Sequence, residues 1–81
     1  MDDLVLRQNV AKFIRMYIGR EHTSLRKYSK KVGVHYKTLE TLSQGRGNPR
    51  LSTFIKIAKS ANISLNDLFF KDWDIYKLPK I

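Results

Sequence analysis

The stretch from Ser24 to Ser43 constrains the fold more than any other part of the chain. Leu25, Tyr28, Ser29 and Val32 fall at i, i+3, i+4 and i+7, one face of a helix, while Arg26, Lys27, Lys30 and Lys31 take the other. Ser24, or Thr23 one residue earlier, supplies the side-chain oxygen for an N-cap. Gly33 then ends the pattern, because it tolerates the left-handed conformation that a sharp turn needs. A second helical pattern follows at once, from about Tyr36 to Leu42 or Ser43. Val34, Leu39 and Leu42 are its inward residues, and Tyr36, Lys37, Glu40 and Thr41 face outward. His35 takes the cap position, a poorer cap than Ser or Asp. Two such helices joined by a turn of about three residues make a helix-turn-helix.

The rest of the chain reads as further short helices. A first helix is expected from about Asp3 to Ile18, capped by Asp2 or Asp3. Leu6, Val10, Phe13, Ile14, Tyr17 and Ile18 line one face, and Gly19 serves as the stop. Gln44-Gly45-Arg46-Gly47-Asn48-Pro49 is a loop by its turn residues. A fourth helix runs from about Leu51 or Ser52 to Ala61, with Leu51, Phe54, Ile55 and Ala58 inward and Asn62 as its stop. Ser64 with Asp67 forms a capping-box-like start to a short fifth helix carrying Leu65, Leu68 and Phe69. The tail from Phe70 to Ile81 fits neither the helical nor the strand period and reads as an extra helix, an edge strand or an arm. The expected fold is all-α, five helices and a short tail. Residues 1–69 form the folded domain, and 70–81 are a tail for dimerisation or partner contact.

A chain of 81 residues holds one domain with a small core. It has no cysteine, which excludes a disulfide framework and a thiolate metal site. No apolar run approaches the roughly 18 residues of a membrane span. No apolar h-region follows the acidic Met1-Asp2-Asp3, so a signal peptide is not expected and the expected location is cytoplasmic. The net charge of +9 points to a polyanionic partner. That charge is concentrated: Arg20, Arg26, Lys27, Lys30, Lys31, Lys37, Arg46, Arg50, Lys56 and Lys59 are opposed between positions 20 and 59 by Glu21 and Glu40 alone. A concentrated patch argues for a binding face. In a helix-turn-helix the first helix crosses the DNA backbone and wants cations and donors. The second lies in the major groove and wants side chains that reach base edges. The outward residues of the two patterns meet both demands.

The longer stretch from Ser24 through Phe69 resembles the lambda repressor/Cro-like (XRE) helix-turn-helix family. The resemblance is carried by Ser24 at the cap, Val32-Gly33-Val34 at the turn and Leu39 and Leu42 beyond it. Gln44-Gly45-Arg46, Asn48-Pro49, Ile57-Ala58-Lys59 and Ile63-Ser64-Leu65-Asn66-Asp67-Leu68-Phe69 continue it in order. It implies a five-helix DNA-binding domain, usually dimeric, acting as a transcription regulator on double-stranded DNA. Carried over by position, it implies base contacts from Tyr36, Lys37, Glu40 and Thr41. Lys37 would donate to guanine O6 and N7, and Glu40 would accept from cytosine N4. Ser24, Arg26, Lys27, His35, Arg46, Asn48 and Arg50 would contact the DNA backbone. The bland alternative for Tyr36 is packing against the second helix.

Departures from the family pattern bear on phosphate contacts more than on the fold. Leu25 stands where the family usually has Gln, and Tyr28-Ser29 where it has Leu-Ala. The family often pairs a Glu at the end of the third helix with an Arg in the first. Ser43 holds the first position here, and Ile18 is expected opposite it. His22 and His35 lack ligand companions, Ser24, Ser29 and Ser43 lack a base partner, and Gly45-Arg46-Gly47 lacks the Lys-Ser/Thr of a phosphate loop. Neither catalysis nor a cofactor is expected. The leading expectation is a repressor. The others are the DNA-binding antitoxin of a toxin pair, with the toxin held by the apolar tail; a restriction-modification controller protein; and a fragment of a longer regulator.

Overall fold

The computed structural model describes residues 3–73. Among them five helices follow in order: α1 (Asp3–Arg20), α2 (Leu25–Val32), α3 (Tyr36–Ser43), α4 (Leu51–Ser60) and α5 (Leu65–Phe70). Asp3 is thus already the first residue of α1. Asp2, Ile75, Tyr76, Leu78 and the Pro79-Lys80-Ile81 end lie outside the described residues.

Four helices close by one device. A residue at positive φ ends the helix, and the next N–H reaches back five residues to a helical carbonyl. Val34 N donates to Ser29 O across Gly33 (3.1 Å), Arg46 N to Thr41 O across Gly45 (3.1 Å), and Ile63 N to Ala58 O across Asn62 (3.0 Å). The fourth case corrects the expected stop at Gly19. The helix passes through Gly19 to Arg20, and His22, at φ 51, takes the left-handed position while Thr23 N donates to Ile18 O at 3.1 Å. The starts follow the expected caps. Ser24 Oγ accepts from Lys27 N at 3.1 Å, and Ser64 Oγ accepts from Asp67 N at 3.0 Å.

The packing order is α1 on α3 and α5, α2 on α3 and α4, and α4 on α5. Because α1 serves two neighbours, it buries more than one stripe: Ala11 and Met16 are buried beside the expected Val10, Phe13 and Ile14. In α4 the buried residues are Ile57 and Ala58, both in its second half. Its first turn stands at the edge, so Leu51, expected inward, is 59% exposed, and Ile57 takes the core position instead. Phe13, Tyr28, Leu39, Leu42, Ile57 and Leu68 fill the centre. Burying each such side chain contributes about 1.5–3 kcal/mol relative to exposure. No buried side-chain nitrogen or oxygen among the described residues lacks a hydrogen-bond partner.

Beyond α5 the chain turns back onto the core. Trp73 is 5% exposed, meets Phe13 edge-on at 4.9 Å, and donates from its indole N–H to Asp67 O at 2.9 Å. Asn9 of α1 directs its side-chain amide at the carbonyls of Leu68 (3.2 Å), Phe69 (2.9 Å) and Lys71 (2.6 Å). These carbonyls close a helix whose last turn has no further helical donors.

Candidate nucleic-acid interface

The geometry of the candidate face starts at the α2–α3 turn. Gly33, at φ 77, lets the chain reverse between Val32 and Tyr36. Lys56, from α4, donates to the Gly33 carbonyl at 3.3 Å, so the turn is held from behind. His35 caps α3: its Nδ1 accepts from Lys37 N at 3.2 Å. In the neutral ring this bond leaves the proton on Nε2 of an exposed side chain, a donor aimed away from the helix. Ser24 is likewise exposed, and its capping oxygen keeps its own O–H to donate.

The outward side chains of α3 form a connected set. The Arg26 guanidinium lies over the Tyr36 ring, 4.4 Å from its centroid. The Tyr36 hydroxyl donates to Glu40 Oε2 at 3.0 Å, and Lys37 Nζ stands 3.8 Å from Glu40 Oε1. Lys37 is 78% exposed at its side chain and Glu40 36%, so the pair is open to solvent. The Tyr36 ring thus packs against α2, and its hydroxyl is engaged by Glu40.

Thr41 sits differently from its three companions. Its hydroxyl donates to Lys37 O at 2.9 Å, and its methyl lies under the α3–α4 loop. A Cβ added at Gly47 would stand 2.9 Å from Thr41 Cγ2, closer than any side chain tolerates. Lys37, Thr38 and Thr41 of α3 and Gly47, Asn48 and Pro49 of the loop line one shallow groove. Asn48 and Arg50 are exposed beside it, and Arg46 is hydrogen-bonded to Gln44 Oε1. From the other side Arg7 of α1 donates to the Gly47 carbonyl at 3.2 Å. The structure thus brings Arg26, Tyr36, Lys37 and Glu40 together, sets Thr41 with the loop, and leaves Lys27 exposed on α2.

One cation expected on the outer face of α2, Lys31, has other surroundings. Lys31 donates to the Tyr17 hydroxyl on α1 at 2.6 Å, and that bond raises its pKa above the usual lysine value. Arg15, not Ile18, is the residue of α1 that reaches the end of α3, donating to Ser43 O at 2.8 Å. It meets a backbone carbonyl where the family pattern has a carboxylate. Arg7, Arg15 and Lys56 carried no local sequence signal for these tasks, because each acts across a long stretch of chain. No group of three or more His, Cys, Asp or Glu among the described residues could hold a metal ion. No helix among them is long and apolar enough to cross a membrane.

The chain is 36% identical over 59 residues to an uncharacterized HTH-type transcriptional regulator of Archaeoglobus fulgidus, a match covering 73% of this chain and 84% of the relative. No protein-family model matches the chain. No solved structure matches it significantly.

Proposed function

The chain belongs to the HTH-type transcriptional regulators, and we propose that it binds operator DNA through α2 and α3, most simply as a repressor of the lambda repressor/Cro-like (XRE) type. The observation that carries this reading is the outer face of α3. It presents Tyr36, Lys37 and Glu40 between Arg26 of α2 and the Asn48–Arg50 end of the next loop. In this reading α3 lies in the major groove, and Tyr36, Lys37, Glu40 and Thr41 form its base-facing surface. Ser24, Arg26, Lys27, His35, Arg46, Asn48 and Arg50 meet phosphates on either side. Phosphate contacts fix register and supply salt-sensitive affinity, whereas base contacts choose the sequence.

The protein acts as a homodimer on two half-sites, with the α3 helices roughly 34 Å apart. Residues 1–69 form the DNA-binding unit, and the tail from Phe70 carries dimer or partner contacts. Phe70 is 52% exposed, which suits that role, while Trp73 is already spent on covering Phe13. The test is selection from a random duplex library, with binding of the enriched sequence repeated across a salt series. A two-fold symmetric enriched site with a steep salt slope is the expected result. Binding to every duplex alike, with the same salt slope, overturns the operator-reading role.

A further inference from the structure

We propose that Lys37 and Glu40 read a single G·C base pair as a unit, and that Tyr36 is the residue that positions Glu40 for it. This rests on the operator-binding reading and deepens it by naming the base pair. A donor and an acceptor are held side by side on α3. Lys37 Nζ, which can only donate, and Glu40 Oε1, which can only accept, stand 3.8 Å apart on the exposed side of α3. Such a pair adds little stability in water, so its place on this face calls for another explanation.

Viewed from the major groove, a G·C pair offers two adjacent acceptors, guanine N7 and O6, and then one donor, the cytosine N4 amino group. An ammonium over the two acceptors and a carboxylate over the outer donor match that order. An A·T pair offers acceptor, donor, acceptor and then a methyl group. There the ammonium keeps one acceptor, and the carboxylate faces thymine O4 and an apolar methyl. The Lys37–Glu40 order therefore favours G·C over A·T.

The carboxylate is also aimed. Glu40 Oε2 accepts from the Tyr36 hydroxyl at 3.0 Å, which leaves Oε1 as the oxygen on the Lys37 side. Tyr36 itself is half-buried, with its ring stacked under Arg26 at 4.4 Å. A rigid ring anchored on α2 thus fixes a flexible side chain on α3, which lowers the ordering cost of docking. The Thr41 hydroxyl, engaged with the Lys37 carbonyl, keeps the backbone under that pair in place.

The test is selection from random duplex with the wild-type chain, Glu40→Gln and Tyr36→Phe. The wild-type site should contain one G·C pair per half-site whose replacement by A·T weakens binding about tenfold, the scale of one good base contact. Gln can donate where Glu can only accept, and the group it faces in an A·T pair is thymine O4, so Glu40→Gln should move that one position from G·C to A·T and leave the others unchanged. Tyr36→Phe should erode the preference at that position more than at any other position of the enriched site. An enriched site that Glu40→Gln leaves unaltered overturns this assignment and spares the operator-reading role. Tyr36→Phe weakening every sequence equally makes Tyr36 a packing residue and overturns its positioning role. A wild-type chain that enriches no sequence overturns both readings together.

Discussion

Asn9 and Glu40 each gather several partners, yet to opposite effect. Asn9 joins α1 to the end of α5 beside the Phe13–Trp73 contact, where its partners are backbone carbonyls. Glu40 is held by Tyr36 and Lys37 on an open face, where both partners are side chains rather than backbone. The α1–α5 seam is fixed by backbone and aromatic contacts, which are costly to lose. The α3 face is ordered by exposed polar contacts, which are cheap to exchange for a ligand. A binding domain of this size needs both: a seam that keeps α3 in place and a face whose bonds are available for trade.

The sharpest way to break the comparison is Phe13→Ala. The side chain is 1% exposed and touches Tyr17 and Trp73. Its loss should destabilise the domain by about 3–5 kcal/mol, measured by urea denaturation. Asn9→Ala should cost about 1 kcal/mol, because it removes the hydrogen bonds that tie α1 to the end of α5. Hydrogen exchange should show that loss first in α5, and uniform loss across all helices would contradict a local clamp. Gly47→Ala combines φ 88 with a 2.9 Å approach to Thr41 and should cost about 1–3 kcal/mol. Its effect on DNA binding, followed by fluorescence anisotropy, should exceed what the fraction folded explains.

Two smaller effects sharpen the contrast. Burial raises the Tyr28 pKa above 10.0, with a lesser push from Tyr17 and a partial offset from its Ser60 hydrogen bond. The folded state therefore holds that proton longer than the unfolded state. Its stabilising share is complete below pH 10.0 and is lost as pH rises from there through the folded value. Tyr28→Phe should flatten that alkaline decline in thermal melts. Smallest of all, Lys37→Ala and Arg50→Ala should each change stability by about 0.5 kcal/mol or less, as surface substitutions do. In binding they should part company. Lys37→Ala relaxes preference at one base pair, whereas Arg50→Ala weakens all sequences alike and reduces the salt slope by about 1.

What the sequence made legible follows the range of the forces involved. Ser24, Gly33, Asn62 and Ser64 act on residues within one turn, so cap and stop chemistry locates α2, α3, the end of α4 and α5. His22 escaped because its left-handed turn is set by the same backbone bonds as Gly33 but without the residue that advertises them. Leu51 and Ile57 exchanged places because periodicity tells which residues share a face, not where the neighbouring helices end. The outer residues of α3 were visible by elimination from its inward set. Their grouping into Arg26–Tyr36–Glu40–Lys37 was not, since rotamer choice decides it. Asn9, Arg7, Arg15 and Lys56 serve partners from 23 to 62 residues away, beyond any local pattern.

The loop after α3 is gripped twice, by Arg7 at the Gly47 carbonyl and by the Thr41 methyl beneath Gly47. A loop so fixed behaves as one jaw of a caliper, and α3 is the other. If α3 enters the groove and the loop meets the strand beside it, the gap between the jaws is set by the protein rather than by the DNA. Duplexes whose groove width suits that gap bind without bending, and stiffer or narrower ones must deform. Base pairs that no side chain touches would then shape affinity through flexibility alone.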